Sequence, residues 1–167
     1  MHKWLVWPVI STALLTLLGG CSPQKYSAKY TNGLVYCSES DPISMNPQLD
    51  TSTTTADATA HQIYDRLLEF DTESGRIRPS LATSWSVSDD GLLYRFSLRR
   101  DVKFHTTDYF TPGRPFNASD VLFSFNRWRL PQHSFHNVSG GYYPYFESLG
   151  LADNIADIKA VSPYEVE

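Results

Sequence analysis

The stretch YRFSLRRDVKFHTTDYFTPGRPFNASDVLFSF, residues 94–125, decides the fold. Apolar and polar side chains alternate over residues 94–99, which predicts a strand with one buried face. Asn117 follows an aromatic-rich loop and is typical of a helix N-cap, with Asp120 placed against the positive end of the helix dipole. Helical spacing relates the apolar residues of the predicted buried stripe, which are Val121, Leu122, Phe125 and Trp128.

Two predicted strand pairs flank the predicted helix and its loop. A turn at residues 89–91 separates residues 85–87 from residues 92–99. Its Asp-Gly step is typical of a β-hairpin, because glycine tolerates the positive φ that such turns need. Residues 158–161 and 164–167 predict a second pair. We expect the last of these strands to be an unpaired edge beside an uncovered hydrophobic face.

The N-terminal half is predicted to contain a strand and a helix. Residues 34–38 are rich in β-branched and aromatic residues and predict the strand. Thr54 and Asp57 have the spacing of a capping box, in which each side chain bonds the other residue's backbone N–H. The helix that they open has an apolar face at core spacing, made of Ala60, Ile63, Tyr64, Leu67 and Leu68. Farther along, residues 131–150 are predicted to form a long loop.

The first twenty residues, 1–20, predict a signal peptide of the lipoprotein type. Their apolar run is shorter than the roughly 20 residues that span a bilayer. Residues 18–21 read Leu-Gly-Gly-Cys and are typical of a lipobox, which predicts lipid attachment at Cys21 and a tether over residues 21–33. The alternative is an ordinary signal peptide that is cut nearby and leaves Cys21 unmodified.

The chain contains two cysteines, Cys21 and Cys37. If Cys21 carries lipid, Cys37 has no partner within this sequence, and an odd cysteine in an oxidising compartment needs an explanation. We expect Cys37 to be a buried, inert thiol on the strand predicted for residues 34–38.

Composition and motifs exclude several classes of function. The formal net charge is −4 at pH 7, which argues against nucleic acid as a partner. The sequence has no Gly-x-Ser-x-Gly elbow, Walker loop, His-Glu-x-x-His or Cys-x-x-Cys motif, and we predict neither an enzyme nor a cofactor. His133 and His136 have ligand-like spacing but lack a neighbouring third ligand, so no metal site is predicted.

The succession of strand, aromatic-rich loop and capped helix resembles the N-terminal lobe of family 5 extracytoplasmic solute-binding proteins, which feed peptides to ABC importers. Within that family it is most similar to the Sap-type peptide-binding component, and next to the dipeptide-binding one. The resemblance extends over residues 34–167. It implies an α/β fold, the lobe-one portion of a two-lobed periplasmic-binding-protein fold of class II. In dipeptide-binding relatives the cysteine that matches Cys37 pairs with one far downstream.

The resemblance also implies two ligand-binding segments. In dipeptide-binding relatives the position that matches Thr51 contacts the ligand, and Ser52 and Thr53 add hydroxyl and backbone donors at the mouth of a helix. In oligopeptide-binding relatives the position that matches Phe135 is a tyrosine that lines the cleft. The alternatives are that the hydroxyl run only shapes its loop and that Phe135 is plain packing. Four nearby aromatic residues fit either the cleft wall or the core: Tyr142, Tyr143, Tyr145 and Phe146.

The implied function is capture of peptides in the periplasm, cationic antimicrobial peptides among them, for delivery to inner-membrane ABC permease subunits. The lipid on Cys21 would hold the protein to a membrane. A different ligand on the same fold, such as haem, nickel or an oligosaccharide, is one alternative. Because the sequence stops inside a predicted strand and lacks the second lobe, we expect an incomplete chain, and a non-binding lipoprotein remnant is the other alternative.

Overall fold

The structure, a computed structural model, describes residue 33 and residues 35–167. The predicted signal peptide, the lipid attachment at Cys21 and all of the predicted tether except Gly33 lie outside the described residues. Helices and strands combine in the described part, which confirms the predicted α/β class. No helix in residues 35–167 is long and apolar enough to cross a membrane.

The N-terminal part holds a short helix and a separate hairpin. Helix α1, Thr53–Thr55, continues directly into a π-helical turn, Ala56–Ala60. Strands β1, Leu68–Asp71, and β2, Arg76–Pro79, pair antiparallel in a two-stranded sheet that sequence analysis did not predict. The hairpin turns at Gly75, whose φ of 66° suits glycine.

Three local predictions for this part were wrong. The helix ends at Ala60 and leaves Ile63 58% and Tyr64 50% exposed, because Leu68 pairs with Pro79 in the hairpin instead of continuing a helix. Its N-cap is Ser52, whose hydroxyl accepts the N–H of Thr55, so no capping box joins the two residues predicted for it. Residues 35–38 are exposed and form no strand with any other part of the described chain.

A four-stranded antiparallel sheet organises the rest of the chain. Its strands are β3, Ala82–Val87, β4, Tyr94–Leu98, β5, Ala160–Ser162, and β6, Glu165–Val166, in the order β3-β4-β6-β5. The predicted hairpin between β3 and β4 is confirmed, with Gly91 at a φ of 73° in its turn. The predicted pairing of the last two strands is confirmed as well.

Strand β6 is an interior strand, so the expectation of an unpaired edge there was wrong. Val166 pairs with Phe96 of β4 on one side and with Ala160 of β5 on the other. The guanidinium of Arg95 reinforces the first pairing, because its Nη2 donates to a carboxylate oxygen of Glu167 at 2.7 Å. The edges of this sheet are therefore β3 and β5.

The core lies between this sheet and helix α2, Ala118–Arg129. Its fully buried apolar residues are Ala82, Leu98, Phe116, Ala118, Val121 and Val166. Leu122 and Phe125 of the predicted stripe pack half-buried against this cluster. Along β4 the exposed fraction falls from 51% at Tyr94 to 4% at Leu98, so the helix covers only one end of the sheet face.

The segment after helix α2 is more ordered than the predicted loop. It forms a 3₁₀ turn, His136–Ser139, then α3, Pro144–Ser148, and α4, Leu151–Asn154. The structure also decides which of its aromatic residues belong to the interior. Tyr143 and Phe146 are buried, whereas Tyr142 and Tyr145 are 61% and 47% exposed.

Helix α2 begins with the predicted cap. The side chain of Asn117 accepts the N–H of Ser119 at 2.9 Å, and the carboxylate of Asp120 accepts the N–H of Asn117 at 2.9 Å. Arg114 donates two hydrogen bonds to the same carboxylate. Burial raises the pKa of Asp120, but the hydrogen bonds from Arg114 and Asn117 outweigh it and hold that pKa below the ordinary value of 3.8.

We predict that Asp120→Asn destabilises the chain at neutral pH and not in strong acid. A carboxyl whose pKa is lowered by folding stabilises the native state above its unfolded pKa, and this contribution disappears as the pH falls through the lower folded pKa. Denaturant unfolding at several pH values between 7 and 2 should therefore show a lower free energy of unfolding for the variant than for the parent chain. This gap should close below pH 3.8. Asp89→Asn, in the exposed β3–β4 turn, is the control. A gap that stays constant with pH would contradict the prediction.

Candidate functional site

The hydroxyl run at residues 51–55 is built around the carboxylate of Asp50. This carboxylate accepts the N–H of Ser52 at 3.2 Å and also the Ser52 hydroxyl proton. The Ser52 hydroxyl in turn accepts the N–H of Thr55. Hydrogen bonds to Asp50, first from the hydroxyl of Ser52 and then from that of Thr55, lower the pKa of Asp50. Ser52 therefore uses its polar groups inside the segment.

Thr51 and Thr53 stand out from this internal network. Both residues are exposed, and neither hydroxyl makes a hydrogen bond to any residue that the structure describes. Their positions on either side of the Ser52 cap place them at the N-terminal end of α1, where the first backbone N–H groups have no partner within the helix. Of the three predicted contacts in this run, Thr51 and Thr53 thus have donors that remain available.

Two buried threonines fix the hydroxyl run to the chain around it. Thr55 and Thr59 are fully buried, and the hydroxyl of Thr59 donates to the carbonyl oxygen of Thr55. The hydroxyl of Thr55 accepts the N–H of Ile43 at 3.1 Å, which ties the preceding loop to the helix. Tyr64 adds a second tie, because its hydroxyl donates to the carbonyl oxygen of Met45 at 3.0 Å. Two hydrogen bonds therefore tie the π-helical turn and the residues after it to the preceding loop, beneath an exposed hydroxyl surface.

A groove of about 400 Å³ lies beside the hydroxyl run. It is lined by Tyr36, Cys37, Ser38, Glu39, Thr53, Thr54 and Asp57. Cys37 is exposed in this groove, so the expectation of a buried thiol on a strand was wrong. The physical reason is that residues 35–38 have no neighbouring strand in the described part that could cover the side chain. The lining carries two carboxylates, those of Glu39 and Asp57.

The second predicted segment places Phe135 on the surface beside helix α2. Its ring is 49% exposed and packs edge-on against the ring of Phe123, with ring centroids 5.4 Å apart. His133 contacts both rings and accepts the N–H of Phe135 at its Nδ1, at 3.2 Å. The structure thus presents an exposed aromatic surface of Phe123, His133 and Phe135. Phe135 is not among the residues that line the groove beside the hydroxyl run.

Sequence reasoning missed the residues that hold this aromatic surface in place. Tyr143 is 2% exposed, and its hydroxyl donates to the carbonyl oxygen of His136 at 2.7 Å. The same hydroxyl accepts the Nε–H of Arg127 at 3.2 Å. A signal was available in Pro131, which has no N–H and leaves the carbonyl of Arg127 in the last helical turn without its usual partner.

No group of three or more metal-binding side chains occurs in residues 35–167. The Nδ1 of His136 lies 2.8 Å from the carbonyl oxygen of Arg127 and is occupied by that hydrogen bond. The Nδ1 of His133 is occupied by the N–H of Phe135. The ligand-like spacing of the two histidines therefore corresponds to two separate backbone contacts.

Residues 76–167, more than half of the chain, match the family described as bacterial extracellular solute-binding proteins, family 5 Middle. The chain belongs to this family, which confirms the resemblance inferred from the sequence. The family is one of solute-binding proteins rather than of enzymes.

Curated and solved relatives agree with this assignment. The chain is 48% identical over 130 residues to heme-binding protein A of Haemophilus influenzae, covering 78% of this chain and 24% of that protein. It is 45% identical over 136 residues to the peptide transport periplasmic protein SapA of Salmonella typhimurium, covering 81% and 25%.

Among solved structures, the dipeptide binding protein of Pseudoalteromonas sp. SM9913, in complex with Met-Leu, superposes with a TM-score of 0.76 at 47% identity. The match covers 81% of this chain and 27% of that one. The chain thus spans about a quarter of the length of the relatives that it matches.

We predict that Cys37 reacts with a thiol reagent such as DTNB in the folded chain, without denaturant. Its side chain is exposed in an open groove, and access is one of the two conditions for thiol reactivity. Absorbance of the released thiolate, compared between the parent chain and Cys37→Ser, isolates the signal of Cys37 from that of Cys21. If the two chains release the same amount before unfolding and differ only afterwards, Cys37 is buried and the prediction fails.

Proposed function

We propose that this chain supplies part of the peptide-binding site of an extracytoplasmic solute-binding protein that serves an ABC importer. The observation that carries the proposal is the match, at 47% identity and a TM-score of 0.76, to a dipeptide binding protein solved with Met-Leu. The name of the SapA relative, a peptide transport periplasmic protein, agrees with it. The proposed site is non-catalytic, and its location is the periplasm.

The hydroxyl run is proposed to bind the peptide backbone. An extended peptide exposes carbonyl oxygens at regular intervals, and binding proteins hold such a backbone mainly through hydrogen bonds. Thr51 and Thr53 offer donors that the fold leaves unused, while Ser52 keeps them in place by capping α1 against Asp50. Of the three predicted ligand-binding residues in this run, Ser52 therefore contributes mainly by positioning Thr51 and Thr53.

Phe135 is proposed to contribute an apolar wall. An aromatic ring accepts peptide side chains of different shape, because dispersion and burial of apolar area need no fixed direction. Its ring is half exposed and rests on Phe123, so the surface is preformed rather than created by the ligand.

Cationic peptides are proposed as one class of ligand. The groove beside the hydroxyl run carries the carboxylates of Glu39 and Asp57, whose negative charges attract the cationic groups of a ligand. The inner-membrane permease subunits of an ABC importer are the proposed receiving partner. A second candidate ligand is haem, since heme-binding protein A shares 48% identity with this chain.

The test uses a chimera in which the present residues 34–167 replace the matching segment of the Pseudoalteromonas dipeptide binding protein. We expect it to bind Met-Leu by isothermal titration calorimetry. Thr51→Val should weaken binding by about 1 kcal/mol through one lost hydrogen bond, and Phe135→Ala by roughly 1 kcal/mol through lost apolar contact. Thr51→Val should leave the melting temperature unchanged.

The matched controls lie in the β1–β2 hairpin, which sequence and structure place outside both segments. They are Thr72→Val for the hydroxyl and Phe70→Ala for the ring, which is 57% exposed. Unchanged Met-Leu affinity in both site variants would refute the placement of the site. Binding of haem, seen as a Soret shift, with no binding of Met-Leu would favour the second candidate.

We also propose that the mature chain begins at a lipidated Cys21. The supporting observation is the Leu-Gly-Gly-Cys sequence at residues 18–21, after an apolar run too short to span a bilayer. Each buried methylene adds about 0.8 kcal/mol of membrane affinity, so several acyl chains anchor firmly where one does not. Mass spectrometry of the protein purified from bacterial membranes should show an acylated residue 21, and Cys21→Ser should release the chain. An unmodified N-terminus at or near residue 21 in the parent chain would contradict the prediction.

A further inference from the structure

The chain between helices α2 and α3 is held by a partly buried hydrogen-bond network of Arg127, His136 and Tyr143, here named the Tyr143 lock. The hydroxyl of Tyr143 accepts the Nε–H of Arg127 at 3.2 Å and donates to the carbonyl oxygen of His136 at 2.7 Å. The His136 Nδ1 lies 2.8 Å from the carbonyl oxygen of Arg127 and closes the ring of contacts. The guanidinium of Arg127 also lies over the Tyr143 ring, 5.6 Å from its centroid.

The Tyr143 lock supplies a hydrogen-bond donor to a carbonyl at the end of helix α2 that has no backbone donor. The carbonyl of Arg127 would normally accept the N–H of residue 131, but Pro131 has none. Because a carbonyl oxygen only accepts, the His136 Nδ1 must carry the proton in this contact. His133 has the opposite arrangement, since its Nδ1 accepts the N–H of Phe135. The ring orientations of both histidines are thereby set by the backbone that surrounds Phe135.

Close packing at Gly141 leaves the lock little freedom. A Cβ placed on Gly141 would lie 2.4 Å from the Asn137 side-chain oxygen and 3.3 Å from the His136 ring, and φ at this glycine is +69°. A glycine is therefore needed where the chain passes the His136 ring on its way back to Tyr143. The 3₁₀ turn that follows Phe135 is held between this glycine and the end of helix α2.

We propose that Tyr143 is a positioning residue for ligand binding, which acts by fixing the ring of Phe135 through the Tyr143 lock. Phe135 immediately precedes His136, and its ring packs edge-on against Phe123 and at a tilt against His133. Tyr143 itself is buried at 2% exposure and does not reach the surface where a ligand would lie. The inference rests on the proposed function, because it gives the lock a role in peptide affinity.

The first arm of the test is structural and uses the full chain. Tyr143→Phe removes only the hydroxyl, and Tyr142→Phe removes the hydroxyl of the exposed neighbouring tyrosine as the matched control. Backbone amide NMR should show shifts at residues 135–138 in Tyr143→Phe and not in Tyr142→Phe. Arg127→Met opens the lock from its other side, and should shift the same amides if the first variant folds poorly.

The second arm is a double-mutant cycle on Met-Leu affinity in the chimera described above. Tyr143→Phe should weaken binding about five-fold, the effect of one lost hydrogen bond, and Tyr142→Phe should not. In a Phe135→Ala background the added loss from Tyr143→Phe should vanish, because the residue through which it acts is gone. A merely structural role would instead give the same loss in both backgrounds.

The outcomes separate this inference from the proposed function. Equal losses in both backgrounds, or a loss with Phe135→Ala and none with Tyr143→Phe, would overturn the positioning role. If Phe135→Ala leaves affinity unchanged, the proposed placement of the ligand fails, and with it the effect of the lock on affinity. The amide shifts then test only whether the Tyr143 lock holds residues 135–138. Shifts that occur in Tyr143→Phe and Arg127→Met but not in Tyr142→Phe uphold the lock, and unshifted amides overturn it.

Discussion

The pairing of β4 with β6 is the contact on which the rest of the structure depends. It joins strands about 70 positions apart in sequence, with the Arg95–Glu167 hydrogen bond spanning 72 positions. The N–H of Leu98 donates to the carbonyl of Tyr164 at 2.8 Å and extends the pairing by one step. Closing so long a stretch of chain costs entropy that only the buried core can offset. Val166 is the residue that β6 adds to the buried core, so its burial helps to offset the entropy cost of closing this stretch of chain.

Helix α2 carries the position of this sheet to the proposed ligand surface. At its N-terminus the N–H of Ala118 donates to the carbonyl of Pro163, in the turn that joins β5 and β6. At its C-terminus the carbonyl of Arg127 accepts from His136, one residue after Phe135. Helix α2 thus connects the β5–β6 strand pair at one end with the segment that carries the Phe135 ring at the other. Both proposed segments also use a helix end, where the backbone leaves hydrogen-bonding groups unsatisfied.

The parts of the fold that could be predicted are those set by near neighbours. The Asp-Gly turn and the Asn117 cap depend on residues within four positions, and both are present. Leu68 shows the limit, because an apolar residue at helical spacing fits a strand equally well. Here the hairpin partner Pro79 decides in favour of the strand. The interior position of β6 could not be predicted either, because the sequence near residues 164–167 does not show that β4 pairs with them.

The candidate site shows the same division. A run of hydroxyl residues indicates a helix start but does not say which one caps it, and Asp50 decides by accepting both polar hydrogens of Ser52. Near neighbours do not distinguish buried Tyr143 from exposed Tyr142, because both are tyrosines in one segment. The difference lies in partners that are distant in sequence, since the Tyr143 hydroxyl bonds His136 and Arg127, 7 and 16 positions away.

The sheet has an exposed apolar face but no unpaired edge at β6. With β6 paired on both sides, the unsatisfied feature is a face rather than an edge. The cross-strand neighbours Val87 and Tyr94 are 44% and 51% exposed, and Trp85 beside them is 38% exposed. These residues continue the core face beyond the end that helix α2 covers, and a contiguous apolar surface of this kind favours association. We therefore expect the chain alone to be poorly soluble because of this face. Polar substitutions at Val87 and Tyr94 leave the β4–β6 pairing intact and should increase solubility, whereas changes to β6 should not.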